Sequence, residues 1–314
     1  LLTRSSDLEN GVRIPGRIGP GSRIGIVAPS GAVPRDRFEQ GVAVIESMGF
    51  STRVHGDVFG SHRYLAGTDR RRADALHRCF TDSDVDAVIC ARGGYGALRL
   101  LPYLEPALIR RHPKPFIGFS DISALLWTFY RYCGLATFHG PVVTSLAGDD
   151  PSTRDALARV LCSGRSVHLK GAAVITEGKA EGPVVGGNLS TLSHLLGTPF
   201  APRFGGCILM LEDTNEPTYK IDRMLTQMKL AGCFEDLSGL VLGTFTDCGP
   251  MEAIFEVVAE LFDASEIPIM AGVDVGHGTV NLTMPIGMRA VLDTAARRLV
   301  YDRGGRAGTE GGFA

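Results

Sequence analysis

The chain has 314 residues, 44% of them hydrophobic and 21% charged, with a formal net charge of −2 from 32 Lys+Arg against 34 Asp+Glu. That composition fits an ordinary globular protein of about two domains at roughly 150 residues each. It excludes nucleic-acid binding by bulk positive charge, and no apolar run reaches the roughly 18 residues that a membrane helix needs, so neither nucleic acid nor membrane is an expected partner.

In chain order, residues 23–28 read as a buried strand cut by Pro29-Ser30-Gly31, and a helix over about 35–48 ends at Gly49, a good residue for a left-handed helix stop. Arg70, Arg71 and Arg72, interleaved with acids, read as the solvated face of a helix. Residues 86–91 form a second strand that runs into Arg92-Gly93-Gly94-Tyr95-Gly96, with a helix near 97–104. Residues 116–119 are a third strand, which stops at Ser120 just before a helix-patterned run from Asp121 to Trp127. Residues 135–138 are a fourth, ending at His139-Gly140-Pro141. Strands separated by helical patterns predict an α/β domain with a parallel sheet covered on both faces. Ligands bind such sheets at the carboxyl ends of the strands, where Ser30, the Arg92–Gly96 loop, Ser120 and His139 all fall.

After about residue 150 the character changes. Residues 151–183 hold a short helical pattern and polar, Gly-containing stretches with no Phe, Tyr or Trp, and are expected to be the passage between domains 1–150 and 184–314. Beyond them, Gly186-Gly187-Asn188-Leu189-Ser190 opens a short helix, and residues 207–211 form a strand ending at Glu212. A following helix puts Ile221, Met224, Leu225 and Met228 on one core-facing stripe. Residues 240–243 and 290–292 look like further strands.

Seven scattered cysteines, none at C-x-x-C spacing, argue against a disulfide framework and for a reducing compartment, hence a cytoplasmic location. Residues 1–7 lack the apolar core of a secretory signal; the chain does not begin with Met, so a removed leader stays open. The Gly-rich tail 303–314 is expected to be loose.

Ser120 has two readings. Serine is a favoured helix N-cap; on a tight strand-to-helix turn its hydroxyl is also exposed before the backbone N–H groups of the new helix, the setting of a nucleophile. A serine nucleophile needs a base, and the base an orienting partner. Among eight histidines, His55, His62, His77, His112 and His168 read as surface residues and His194 as a satisfied core or interface residue, which leaves the glycine-flanked loop residues His139 and His277. Glu212 continues the alternation of a buried strand, where a lone carboxylate is costly, whereas Asp213 reads as turn and capping chemistry. The Arg92–Gly96 loop is neither G-x-G-x-x-G nor a P-loop; its glycines would let backbone N–H groups approach a reacting carbonyl, as an oxyanion hole requires. No H-E-x-x-H and no ligand-spaced Cys/His cluster is present, so no metal is expected.

Taken together, Ala28-Pro29-Ser30-Gly31, Arg92-Gly93-Gly94-Tyr95-Gly96, Gly118-Phe119-Ser120-Asp121, Leu211-Glu212-Asp213 with Glu216, Gly186-Gly187-Asn188-Leu189 and Gly276-His277 with Leu282-Thr283-Met284-Pro285-Ile286-Gly287 resemble the LD-carboxypeptidase family of serine peptidases, over residues 23–292. The resemblance implies a Ser–Glu–His triad of Ser120, Glu212 and His277, with an oxyanion hole from the backbone of Asp121 and of Gly93 or Gly94. It implies an N-terminal α/β domain carrying the nucleophile, a smaller β-rich C-terminal domain carrying the Glu/His pair, and an active site in the cleft between them. His139 then becomes a pocket-wall or structural residue. Ile122 stands where a G-x-S-x-G elbow has its last glycine, so the roles converge on a different fold.

The activity implied is removal of the terminal D-alanine from murein tetrapeptides, as in peptidoglycan recycling, with no cofactor. Arg92, Ser30 and Asn188 are the substrate-binding candidates; Arg92 either pairs the substrate carboxylate or braces its loop. A homodimer is the candidate assembly. Two alternatives stay open: a peptidase acting on peptidyl-nucleotide antibiotics of the microcin C type, and a two-domain binding protein without catalysis. The antibiotic branch uses an aromatic residue on an inter-domain loop, and residues 151–183 have none.

Overall fold

A computed structural model describes residues 11–301 except 149 and 164; the expectations for residues 1–7 and 303–314 lie outside the described residues. The first half alternates as its apolar runs dictate: β1 (Arg23–Val27), α1 (Arg35–Ser47), β2 (Ser51–Val54), α2 (Asp69–Thr81), β3 (Ala87–Cys90), α3 (Pro106–Arg111), β4 (Phe116–Gly118), α4 (Ser123–Cys133), β5 (Thr137–His139) and α5 (Val143–Leu146). Then come α6 (Pro151–Cys162), β6 (Val167–Lys170), β7 (Ala173–Thr176), β8 (Lys179–Asn188), α7 (Leu189–Ser193), β9 (Ile208–Thr214), α8 (Thr218–Leu230), β10 (Gly239–Thr246), α9 (Met251–Phe262), β11 (Ile269–Ala271), β12 (Met284–Ile286), β13 (Arg289–Asp293) and β14 (Arg298–Tyr301).

Two sheets organise these elements. The first runs β12-β5-β4-β3-β1-β2. Its five N-terminal strands are parallel, and β12 returns from the far end of the chain to pair antiparallel with β5, with Met284 opposite His139. The second runs β6-β14-β13-β8-β9-β10-β11-β7. Its centre, β8 to β11, is parallel and its flanks are antiparallel. The α/β fold in two sheets is therefore as the sequence pattern predicts.

Helix α4 shows why the segment that follows Ser120 is held firmly in the core. Ser123 through Tyr130 are all buried, and a helix buried all round lies inside a core. Gly134, left-handed at φ 59°, closes it. Trp127 Nε1 donates to Phe200 O at 3.0 Å, so α4 is pinned to the segment before β9.

Several expectations need correction. Residues 151–183 are no bare passage: they form α6, both edge strands of the second sheet (β6 and β7) and the start of β8. Short edge strands carry little hydrophobic signal because one side has no neighbour. The helix expected near 97–104 is present as a 3-10 helix over Leu98–Tyr103. Arg72 is buried, not solvated; its guanidinium is consumed by Pro29 O, Gly96 O and Asp69. His77 is buried too, its Nε2 accepting from Glu105 N at 3.1 Å, while His194 is exposed. All seven cysteines are free thiols, six of them buried. Among the described residues no helix is long and apolar enough to cross a membrane.

Candidate active site

Ser120 lies one residue beyond the end of β4, after Phe119, and opens a 3-10 turn, Ser120–Ile122, that leads into α4. Its φ is +64°, a left-handed conformation that costs a non-glycine residue about 1–2 kcal/mol. The residue in the capping position is Phe119, and no side-chain cap bond is made there. The strain serves exposure of the hydroxyl rather than capping: the Ser120 Oγ makes no hydrogen bond among the described residues and lines an open cleft of about 470 Å³.

The Arg92–Gly96 loop forms one wall. A Cβ on Gly93 would stand 2.9 Å from Ser120 Cβ and 3.2 Å from its Oγ, so only glycine lets the two backbones approach. The amides of Gly93 and Gly94 donate to no backbone acceptor among the described residues. The Asp121 amide sits in the first turn of a helical segment, where N–H groups have no partner of their own. Among the described residues these three amides are thus without a backbone acceptor.

The Asp121 side chain does something else. Its Oδ2 accepts from Ser30 Oγ at 2.6 Å and from Ala97 N at 2.7 Å. Burial pushes its pKa up against those bonds. Ser30, expected to touch substrate, is fully buried and spends its hydroxyl on this brace. Asn188 likewise turns inward: its Nδ2 donates to Asp213 Oδ1 at 2.9 Å, and its Oδ1 caps α7 by accepting from Thr191 N at 3.0 Å. In this arrangement both side chains are engaged in hydrogen bonds inside the protein.

Glu212 lies inside β9, opposite Asn188 of β8. The strand runs two residues further than the sequence suggested, so Glu212 is flanked on both sides by strands and is fully buried. Its Oε2 is 2.6 Å from His277 Nδ1, and its Oε1 is 3.8 Å from His139 Nε2, an electrostatic contact longer than a hydrogen bond. Burial opposes the Glu212 charge, yet the two imidazoles outweigh it and hold the carboxyl well below its ordinary range. For His277 burial again opposes the charged form, but the Glu212 hydrogen bond and charge raise its pKa above the ordinary value.

His277 sits in the loop between β11 and β12. Gly276 before it has φ +119°, and a Cβ there would stand 2.5 Å from Glu212 Oε2. The loop is held by Gly276 N donating to Asn281 Oδ1 at 3.0 Å, by Thr246 Oγ1 donating to His277 O at 2.9 Å, and by Asn281 N donating to Thr153 Oγ1 at 3.0 Å. The Phe119 and His277 rings lie 4.8 Å apart. The lining of the cleft brings together Arg92, Gly93, Gly94, Ser120 and His277, with Glu212 behind His277.

Sequence reasoning missed Arg37, which lines the same cleft, because on a helix face it reads as an ordinary solvated charge. It also missed Asn281 and Thr153, whose one signal is polarity inside apolar neighbourhoods. Arg92 lines the cleft while its Nη1 donates to Ala32 O, a bond that braces the loop.

An α/β fold with a strained serine, unpaired amides and a carboxylate-held imidazole holds the parts that a serine hydrolase needs. Residues 24–140 match the family described as LD-carboxypeptidase N-terminal domain, and residues 181–292 match LD-carboxypeptidase C-terminal domain. A probable murein peptide carboxypeptidase of Bacillus subtilis is 34% identical over 301 residues, covering 92% of this chain and 94% of the relative. The murein tetrapeptide carboxypeptidase of Pseudomonas aeruginosa is 36% identical over 288 residues, covering 86% and 93%. The crystal structure of an MccF-like protein from Bacillus anthracis superposes with a TM-score of 0.86 at 28% identity, covering 92% of this chain and 99% of that one. The chain belongs to the LD-carboxypeptidase family of serine peptidases, and it is an enzyme of the serine-type carboxypeptidase class.

Proposed function

We propose that this enzyme removes the terminal D-alanine of a murein tetrapeptide, in the cytoplasm, through a triad of Ser120, His277 and Glu212. The observation that carries the mechanism is the 2.6 Å contact of His277 Nδ1 with the buried Glu212. It fixes the tautomer that leaves Nε2 as the proton acceptor. His277 Nε2 takes the Ser120 proton as Oγ attacks the carbonyl carbon before the D-alanine. The oxyanion is stabilised by the amides of Asp121 and of Gly93 or Gly94. His277 then gives that proton to the leaving amine, and water resolves the acyl-enzyme by the same route. Arg92 and Arg37, both on the cleft wall, are the groups that suit a terminal carboxylate.

Kinship to murein peptide carboxypeptidases at 34–36% identity supports the substrate class. The absence of aromatic residues from 151–183 disfavours a nucleotide-stacking specificity. The test is stereochemical. Swapping the hand of the leaving residue exchanges carboxylate, methyl and hydrogen around one carbon, so a site that pairs the carboxylate cannot also accommodate the methyl. An unpaired carboxylate costs several kcal/mol, hence at least about a hundredfold in kcat/KM. A tetrapeptide ending in D-alanine is expected to turn over and its L-alanine epimer to be nearly inert. Equal rates, or preference for a peptidyl-nucleotide, would refute the reading.

A further inference from the structure

A second cavity, of about 580 Å³, opens beside α2 and the segment that follows β2. It shares no lining residue with the catalytic cleft. Its floor is built from small residues: Gly56, Gly60, Gly67 and Ala75 leave the volume that larger side chains would fill. Helix α2 turns Arg71, Ala75 and Arg78 toward it, at the i, i+4, i+7 spacing of one face.

The charges around this cavity are unbalanced. Arg72 at its base is paired with Asp69 at 2.6 Å, a carboxylate it shares with Arg99 at 2.7 Å. Arg71 and Arg78 are exposed, and among the described residues neither is ion-paired with a carboxylate. Among the described residues Asp57 is the one acid in the lining. The His55 side chain, 10% exposed, also lines the cavity; its Nε2 lies 3.3 Å from Asp82 Oδ2 but makes no hydrogen bond. Two unpaired guanidiniums over a concave floor, with polar imidazoles of His55 and His62 on the wall, match a compact multivalent oxyanion. Guanidinium forks pair such oxygens bidentately.

We propose that this cavity is a second ligand site, distinct from the catalytic cleft, that takes a phosphate-bearing small molecule through Arg71 and Arg78. Its wall is tied to the catalytic loops by backbone bonds. Ala32 N donates to Tyr64 O and Ala66 N to Ser30 O, while Arg72 reaches Gly96 O.

Pyrophosphate is the probe, followed by isothermal titration on the full chain at low and at physiological salt. The wild-type protein is expected to bind it saturably at one site that is insensitive to Arg37→Ala/Arg92→Ala in the cleft. Arg71→Ala/Arg78→Ala should weaken binding by at least about tenfold, roughly 1.4 kcal/mol, with an unchanged thermal midpoint because both side chains are exposed. Raising salt should weaken the wild-type affinity as well. Absence of saturable binding overturns the proposal, as does binding lost with the cleft arginines instead. Binding indifferent to Arg71 and Arg78 overturns it too. None of these outcomes bears on peptide turnover at Ser120, so the catalytic reading stands or falls separately.

Discussion

Nδ1 of His277 sits 2.6 Å from Oε2 of Glu212, although the two residues are 65 positions apart and Glu212 is wholly inside the second sheet. A buried carboxylate with no partner would cost several kcal/mol. Here the cost is offset by His277 on one oxygen and by the nearby edge of His139 on the other.

The first prediction concerns Ser120. Ser120→Ala is expected to lose turnover with the fold retained, since the hydroxyl caps nothing. Ser120→Gly should be equally inactive and more stable by about 1 kcal/mol, because glycine adopts φ +64° without strain. Thermal melts and peptide assays on both variants check this; a destabilised Ser120→Gly with residual activity would count against the strained-nucleophile reading.

His277 and His139 should separate in a kinetic comparison. His277→Ala is expected to cost about four orders of magnitude in kcat, as losing a triad member does. His139→Ala should cost far less, because His139 is fully buried, reaches Glu212 only at 3.8 Å and lies outside the lining of the cleft. The opposite ranking would move the base assignment to His139.

The pH dependence follows from the signs of the two shifts. His277 must be neutral to act as base, and its pKa is raised above the ordinary value of about 6.5. The acidic limb of kcat/KM should therefore lie above about 6.5, higher than an unperturbed imidazole would place it. Glu212→Gln removes the raising charge and leaves burial to dominate, so the limb should move down while the rate falls. For stability, the raised His277 contributes fully below its unfolded value and loses that contribution as pH rises through the folded one. The depressed Glu212 contributes above about 4.3 and loses it as pH falls below that range. The pair is thus most stabilising at mildly acidic pH, which denaturant titrations across pH 4–8 would show.

Arg37 and Arg92 should act on substrate capture. Truncating either to Ala is expected to lower kcat/KM by about tenfold to a hundredfold, with little change for a substrate whose terminal carboxylate is amidated. Equal losses on both substrates would mean that these arginines brace their loops through Ala147 O and Ala32 O instead.

Much of this protein was determined by the sequence alone. The apolar runs at 24–27, 87–90 and 116–118 have one environment that suits them, a parallel sheet covered on both sides, and the residues that interrupt them fall at its ligand-binding edge. Motif order was enough to single out Ser120, Glu212 and His277 as candidates. The tertiary structure decided what their neighbours do. Ser30 and Asn188 carry polar atoms that look available in one dimension, but packing turned them onto Asp121 and Asp213, because a buried carboxylate recruits the donors in reach. Arg72 reads as a surface charge from its neighbours and is buried where three backbone carbonyls and Asp69 take its donors. Arg37 reached the cleft only through the docking of α1, and β12 joined the first sheet across more than a hundred residues of intervening chain. Periodicity records which face of an element is apolar; it holds no record of which distant polar group that face will meet, and the site is made of such meetings.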